Sequence, residues 1–107
     1  MEMDRYQALA RRTQNPELSL AGKKLHALHG MSAEVGEIHS IYQKVFQGHT
    51  LSTDALIDEI GDLMWFIAEL CDVIGVSMDR VGQRNIAKLM DRYPEGFTEE
   101  RSINREK

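Results

Sequence analysis

The chain is predicted to be all-α, a bundle of about four helices, and three observations carry that reading. Apolar residues recur at three- and four-residue spacing over long stretches, no alternating apolar and polar run marks a strand, and the two prolines, Pro16 and Pro94, both fall outside the periodic segments.

A first short helix is expected from about Asp4 to Thr13, ended by the turn-prone Gln14-Asn15-Pro16. Ser19 is suited to cap a second and long helix from about Leu20 to Gln47, closed by Gly48. Its apolar series is Leu25, Leu28, Met31, Val35, Ile38, Tyr42 and Val45. Ser52, Thr53 or Asp54 caps a third helix that runs to Ile74 and stops at Gly75, with Leu56, Ile60, Leu63, Ile67, Leu70 and Ile74 as its stripe. Ser77 opens a fourth, which carries Met78, Val81, Asn85, Lys88, Leu89 and Arg92 along one side until Tyr93-Pro94 breaks it. Residues 95–107 read as a polar C-terminal tail, either disordered or ordered by a ligand or a neighbouring subunit.

At 107 residues the whole chain (1–107) is expected to be a single domain, small enough to gain from a partner copy, so that homo-oligomerisation completes the bundle. Hydrophobic residues make up 42% and charged residues 28%, an ordinary balance for a soluble protein. No apolar run of about 18 residues and no secretory segment appears, so the expected location is cytoplasmic, with no membrane partner. A formal charge of −4 with no dense Lys/Arg stripe argues against a nucleic-acid polymer. The basic residues Arg80, Arg84, Lys88 and Arg92 gather on one side of the fourth helix, which suits a small anion. Cys71, the only cysteine, cannot form an internal disulfide and reads as a small core residue.

Chemistry is signalled by two acidic tetrads, Glu34-Val35-Gly36-Glu37 and Glu59-Ile60-Gly61-Asp62, inside helical patterns on faces that should be apolar. On a helix, residues i and i+3 lie within one turn on one flank, so Glu34 with Glu37, and Glu59 with Asp62, form pincers, and two antiparallel helices joined by the short link containing Gly48 are expected to bring these flanks together into one oxygen-rich site. Buried carboxylates need a compensating charge, and a hard divalent cation with a taste for oxygen ligands provides it, Mg²⁺ or in substitution Mn²⁺. Neither tetrad ends in His, so the Glu-x-x-His pattern of ferritin-like di-iron bundles is missing. Gly36 and Gly61 project away from the acids and are expected to permit close approach of another helix or subunit. Trp65 points away from Glu59, which suits core or interface packing, with base stacking across a subunit boundary as the alternative. His26 and His29 read as polar helix residues, and His29 as a possible border of the substrate pocket.

Together, Leu28 to Glu37, Leu56 to Ala68 with Gly61-Asp62-Leu63-Met64-Trp65, Asn85-Ile86-Ala87-Lys88 and Arg92-Tyr93-Pro94-Glu95-Gly96-Phe97 resemble the MazG-like nucleotide pyrophosphohydrolases. The resemblance runs from about Leu25 to Arg105. It implies an all-α, Mg²⁺-dependent hydrolase that cleaves a nucleoside triphosphate at the α-phosphorus to monophosphate and pyrophosphate. It also implies Glu34, Glu37, Glu59 and Asp62 as metal ligands, Lys88 and Arg92 as the phosphate-contacting pair, and Asn85 as a nucleotide contact. By resemblance to the dimeric all-α dUTPases, Glu37 is the carboxylate that orients the attacking water; the residues themselves do not separate it from Glu34. A four-helix metal site made from two helices per chain would account together for the short length, the glycines and the polar tail, so a homodimer or homotetramer is expected. The chain departs from the tandem-domain enzyme that names the family, being one short module. The competing readings are a catalytically silent nucleotide- or metal-binding scaffold of the same fold, and a plain helical bundle with surface acids.

Overall fold

Local chemistry sets the helix ends in the computed structural model, which describes residues 1–105. Its elements are α1 (Met3–Arg11), α2 (Leu20–Phe46), α3 (Thr53–Ile74), α4 (Met78–Arg92) and α5 (Glu99–Asn104). Among the described residues there is no strand. Ser19, Ser52 and Ser77 each accept a hydrogen bond from the backbone N–H three residues on, satisfying an amide that the first turn leaves unpaired. Of the three cap candidates for α3, Ser52 is therefore the one used. At the other end of α3, Gly75 takes the left-handed conformation at φ 73°, and Val76 N–H bonds back to the carbonyl of Cys71 while Gly75 N–H bonds to that of Asp72. That is a Schellman ending, and it needs a residue without Cβ.

Helices α2 and α3 form an antiparallel hairpin, the main packing unit of the chain. A helix pair approaches closely only where a side chain is missing, and Gly30 supplies that place: a Cβ there would overlap the ring of Phe66. Phe66 in turn lies edge-on to His26 and Trp65, with ring centroids 5.4 and 5.1 Å away. Ala27, Ala68 and Cys71 are buried, small residues where helices meet.

Helix α1 crosses α3 and α4 and is fixed by polar groups. Gln7 is buried; its amide donates to Asp72 Oδ1 (2.8 Å) and the Val76 carbonyl (3.0 Å), while its Oε1 accepts from Met78 N–H (2.7 Å). Arg11 and Gln14 also donate to Asp72, at 2.7 and 2.6 Å. This network grips the α3–α4 turn and seats the start of α4 on α1, so α4 does not pack back along the hairpin.

The consequence is an open molecule. Its radius of gyration is 17.2 Å, against about 13 Å expected for a compact chain of this length. Helices α1 to α4 are those expected, but one chain does not close them into a bundle. Half of the α3 stripe expected as core stays uncovered, with Ile60, Ile67 and Ile74 55%, 38% and 62% exposed, while Leu56, Leu63 and Leu70 are half-buried. Leu25, Leu28, Val35, Tyr42 and Val45 of α2 are exposed as well. The polar tail differs from expectation: part of it is helix α5, capped by Thr98. Residues 106 and 107 lie outside the described residues. No described helix is long and apolar enough to cross a membrane.

Candidate metal centre

The antiparallel register of α2 and α3 decides which acids meet. With Gly30 opposite Phe66, Glu34 lies one turn further along α2 and faces Glu59 and Asp62 of α3. One carboxylate oxygen from each of Glu34, Glu59 and Asp62 lies within 4.8 Å of the others. Glu34 and Glu59 are half-buried and Asp62 is exposed. Glu34 Oε2 is buried with no hydrogen-bond partner. The Glu34 carboxyl is pushed up to about 7 by a hydrogen bond with Glu59, by burial, and by the charges of Glu59, Asp62 and Glu37. A site that favours protonation of one member lacks positive charge. Three convergent carboxylates, one of which has a buried oxygen without a partner, with no nitrogen or sulfur donor among them, fit a hard cation such as Mg²⁺ or Mn²⁺.

The other sequence-derived candidates are not gathered here. Glu37 stands one turn beyond Glu34 on the exposed side, outside the three-oxygen group, though near enough for its charge to act on Glu34. Helical geometry puts His29 roughly 140° around α2 from Glu34, and it is exposed. Asn85 and Lys88 are exposed and Arg92 half-buried, all on α4, whose packing partner is α1 and not the acidic hairpin. Gly36 and Gly61 have nothing within 4 Å of a built Cβ, so neither serves close packing inside the chain.

Sequence reasoning missed a second buried acid. Glu69 is fully buried on α3, with Oε1 2.7 Å from His26 Nδ1 and Oε2 without a partner. The signal was present: Glu69 follows Asp62 by seven residues, two helical turns along the same line of α3. Trp65 packs edge-on to Phe66 and donates its Nε1–H to Thr13 Oγ1 at 2.7 Å, tying the end of α1 to the hairpin.

A family model described as the MazG nucleotide pyrophosphohydrolase domain matches residues 23–97, which takes in nearly all of α2 and the whole of α3 and α4. The gene 37 protein of Mycobacterium phage L5 is 32% identical over 81 residues, covering 71% of each chain. No solved structure matches this chain.

Proposed function

Since the chain belongs to the MazG nucleotide pyrophosphohydrolase family, we propose that it is a Mg²⁺-dependent enzyme acting on a nucleoside triphosphate, ribo or deoxy, at the α-phosphorus. Water adds its oxygen to the α-phosphorus, the bond from that phosphorus to the bridging oxygen breaks, and pyrophosphate leaves from a nucleoside monophosphate. The observation that carries the proposal is the meeting of Glu34, Glu59 and Asp62 oxygens within 4.8 Å of one another. These three residues hold the cation, with Glu37 the neighbouring carboxylate on the same helix. When bound, Mg²⁺ offsets phosphoryl charge and acidifies a water. Glu37, exposed and one turn from Glu34, is free to orient that water and accept its proton. Lys88 and Arg92, one turn apart on α4, neutralise the charge that develops on the leaving pyrophosphate, Lys as a point charge and Arg as a planar fork. Asn85 on the same side of α4 contacts the nucleotide.

Assembly belongs to the same reading. Leu56, Ile60, Leu63, Ile67, Leu70 and Ile74 alternate steps of four and three, the heptad spacing of helices that pack lengthwise. Three of these isoleucines lie open on α3. A second copy docked on this face as a homodimer, or two such dimers as a homotetramer, covers the stripe, and α4 of one copy then lies free to reach the acidic hairpin of another.

The test is a panel of canonical and damaged nucleotides with Mg²⁺, scored for monophosphate and pyrophosphate, run beside Glu59→Gln. The expected result is monophosphate plus pyrophosphate, and loss of turnover in the variant. Diphosphate plus orthophosphate as products refutes the bond assignment; an unimpaired variant refutes the site.

A further inference from the structure

The segment after α4 builds a feature that neither the acidic site nor the family match accounts for. Tyr93 packs on Phe97 with ring centroids 5.4 Å apart, and Gly96 turns the chain at φ 94°, so α5 comes back beside the end of α4. There, Arg101 Nε donates to the Arg92 carbonyl at 2.9 Å. Arg92, Arg101 and Arg105 line one cleft of about 230 Å³ with Asp91, Glu100 and Asn104. Arg101 and Arg105 lie beyond residue 97, where the family match ends.

The three guanidiniums form no ion pair among the described residues, although Asp91 and Glu100 border the same cleft. Arg11, by contrast, is paired with Asp72. Three positive groups against two carboxylates leave a net positive pocket. Its volume is below the roughly 300–1,000 Å³ of pockets that enclose a whole drug-sized ligand, so it suits an anion of the size of a phosphate or diphosphate. Guanidinium forks match phosphoryl oxygens in pairs. The hydrogen bond to the Arg92 carbonyl uses Nε and leaves both Nη groups of Arg101 without partners among the described residues.

We propose that Arg101 and Arg105, carried by α5, extend the phosphate contact of Arg92 into a diphosphate-binding cleft that holds the leaving pyrophosphate. The cleft's ligand class rests on the proposed reaction; its geometry does not. Arg101 both positions the end of α4 and binds, whereas Arg105 binds only.

The experiment is calorimetric titration of the full chain with inorganic pyrophosphate, without Mg²⁺, for wild type, Arg101→Gln, Arg101→Lys, Arg105→Gln and Glu59→Gln. Arg101→Gln and Arg105→Gln are each expected to weaken binding about tenfold, the loss of one charge-assisted contact. Arg101→Lys keeps charge without the fork and falls between. Arg105→Gln, which makes no backbone hydrogen bond, is expected to weaken binding while melting as wild type does, and this separates anion contact from folding of α5. Wild-type affinity in both glutamine variants overturns the cleft, while silence of Glu59→Gln in turnover would leave the enzyme reading standing. An active Glu59→Gln with weakened arginine variants overturns the enzyme reading and leaves the anion cleft.

Discussion

Replacing Gly30 with alanine tests the packing that sets the distance between the acidic helices. An exposed helical glycine changed to alanine gains up to about 1 kcal/mol from backbone propensity. At Gly30 the new Cβ falls within the Phe66 ring, and that ring is held edge-on by both His26 and Trp65. Overpacking of this kind costs about 1–3 kcal/mol. With two aromatic neighbours opposing relief, the upper half of that range applies, and after the propensity gain the net loss is about 1–2 kcal/mol. For a chain of this size that lowers the melting temperature by roughly 5–15 °C. Gly36→Ala is the control, since nothing lies within 4 Å of its Cβ; in a single chain it is expected to stabilise. Thermal unfolding should be followed by circular dichroism at one fixed protein concentration, because assembly would shift the midpoint. A companion Mg²⁺ titration should show weaker binding in Gly30→Ala, because Phe66 is one turn from Asp62. Gly30→Ala melting at or above wild type would refute the account of the hairpin.

Three further outcomes follow from other parts of the molecule. Glu34 titrates near 7 in the fold and near 4.5 when unfolded, so its protonated form supplies stability that is fully present below about 4.5 and lost as pH rises through about 7. Mg²⁺ must displace that proton: its affinity is expected to rise from pH 6 to 8, with about half a proton released per site at pH 7, and Glu34→Gln should flatten both profiles in denaturation and calorimetry. Burial alone raises the Asp72 carboxyl, but hydrogen bonds from Arg11, Gln7 and Gln14 and the Arg11 charge outweigh it and hold the group below 3.8. Its stability is therefore present above that value and lost as pH falls below it; Asp72→Ala removes an acceptor shared by Gln7, Gln14 and the exposed Arg11, which falls back on water, and is expected to cost about 1–2 kcal/mol in urea unfolding. Ile67→Glu on the open α3 stripe should convert an oligomer to monomer in light scattering while keeping helix content, and a monomeric wild type at micromolar concentration would sink the assembly.

Helix ends were legible because capping is chemistry within four residues: Ser19, Ser52, Ser77 and Gly75 each act on their own first or last turn. The acidic centre was legible as two pairs brought together by antiparallel helices, but which acids of each pair would meet was not. Periodicity puts Glu34 with Glu37, yet the register fixed by Gly30 and Phe66 selects Glu34 alone of that pair to join Glu59 and Asp62, and a register between helices is not a local property. The course of α4 was hidden for a similar reason. It depends on Gln7, whose hydrogen bonds reach Asp72, Val76 and Met78, more than 60 residues away in sequence. The α3 stripe was recognised as apolar but its partner was not, since a heptad pattern announces a neighbouring helix without saying which chain supplies it.

Helix α3 also contains an internal comparison that bears on the metal. Glu59, Asp62, Glu69 and Asp72 recur at intervals of three, seven and three residues, so all four carboxylates run down neighbouring lines of one helix. Asp72 is answered by one guanidinium and two amides, and its carboxyl is held low. Glu69 is answered on one oxygen by His26. Glu59 and Asp62 meet no cation among the described residues; what they meet is a third acid, Glu34, whose carboxyl is driven toward protonation. The same helix thus meets a guanidinium, amides and an imidazole at one end, although Glu69 Oε2 is left without a partner there, and meets only a further acid at the other. A surface of solvated acids would spread its side chains into water instead of orphaning a buried oxygen, because burial without a partner costs about 1–3 kcal/mol. A cation supplied from outside the chain would offset the charge that Glu34, Glu59 and Asp62 leave uncompensated, so added Mg²⁺ is expected to raise the melting temperature of wild type and not of Glu59→Gln, and an unchanged wild-type midpoint would refute the cation reading.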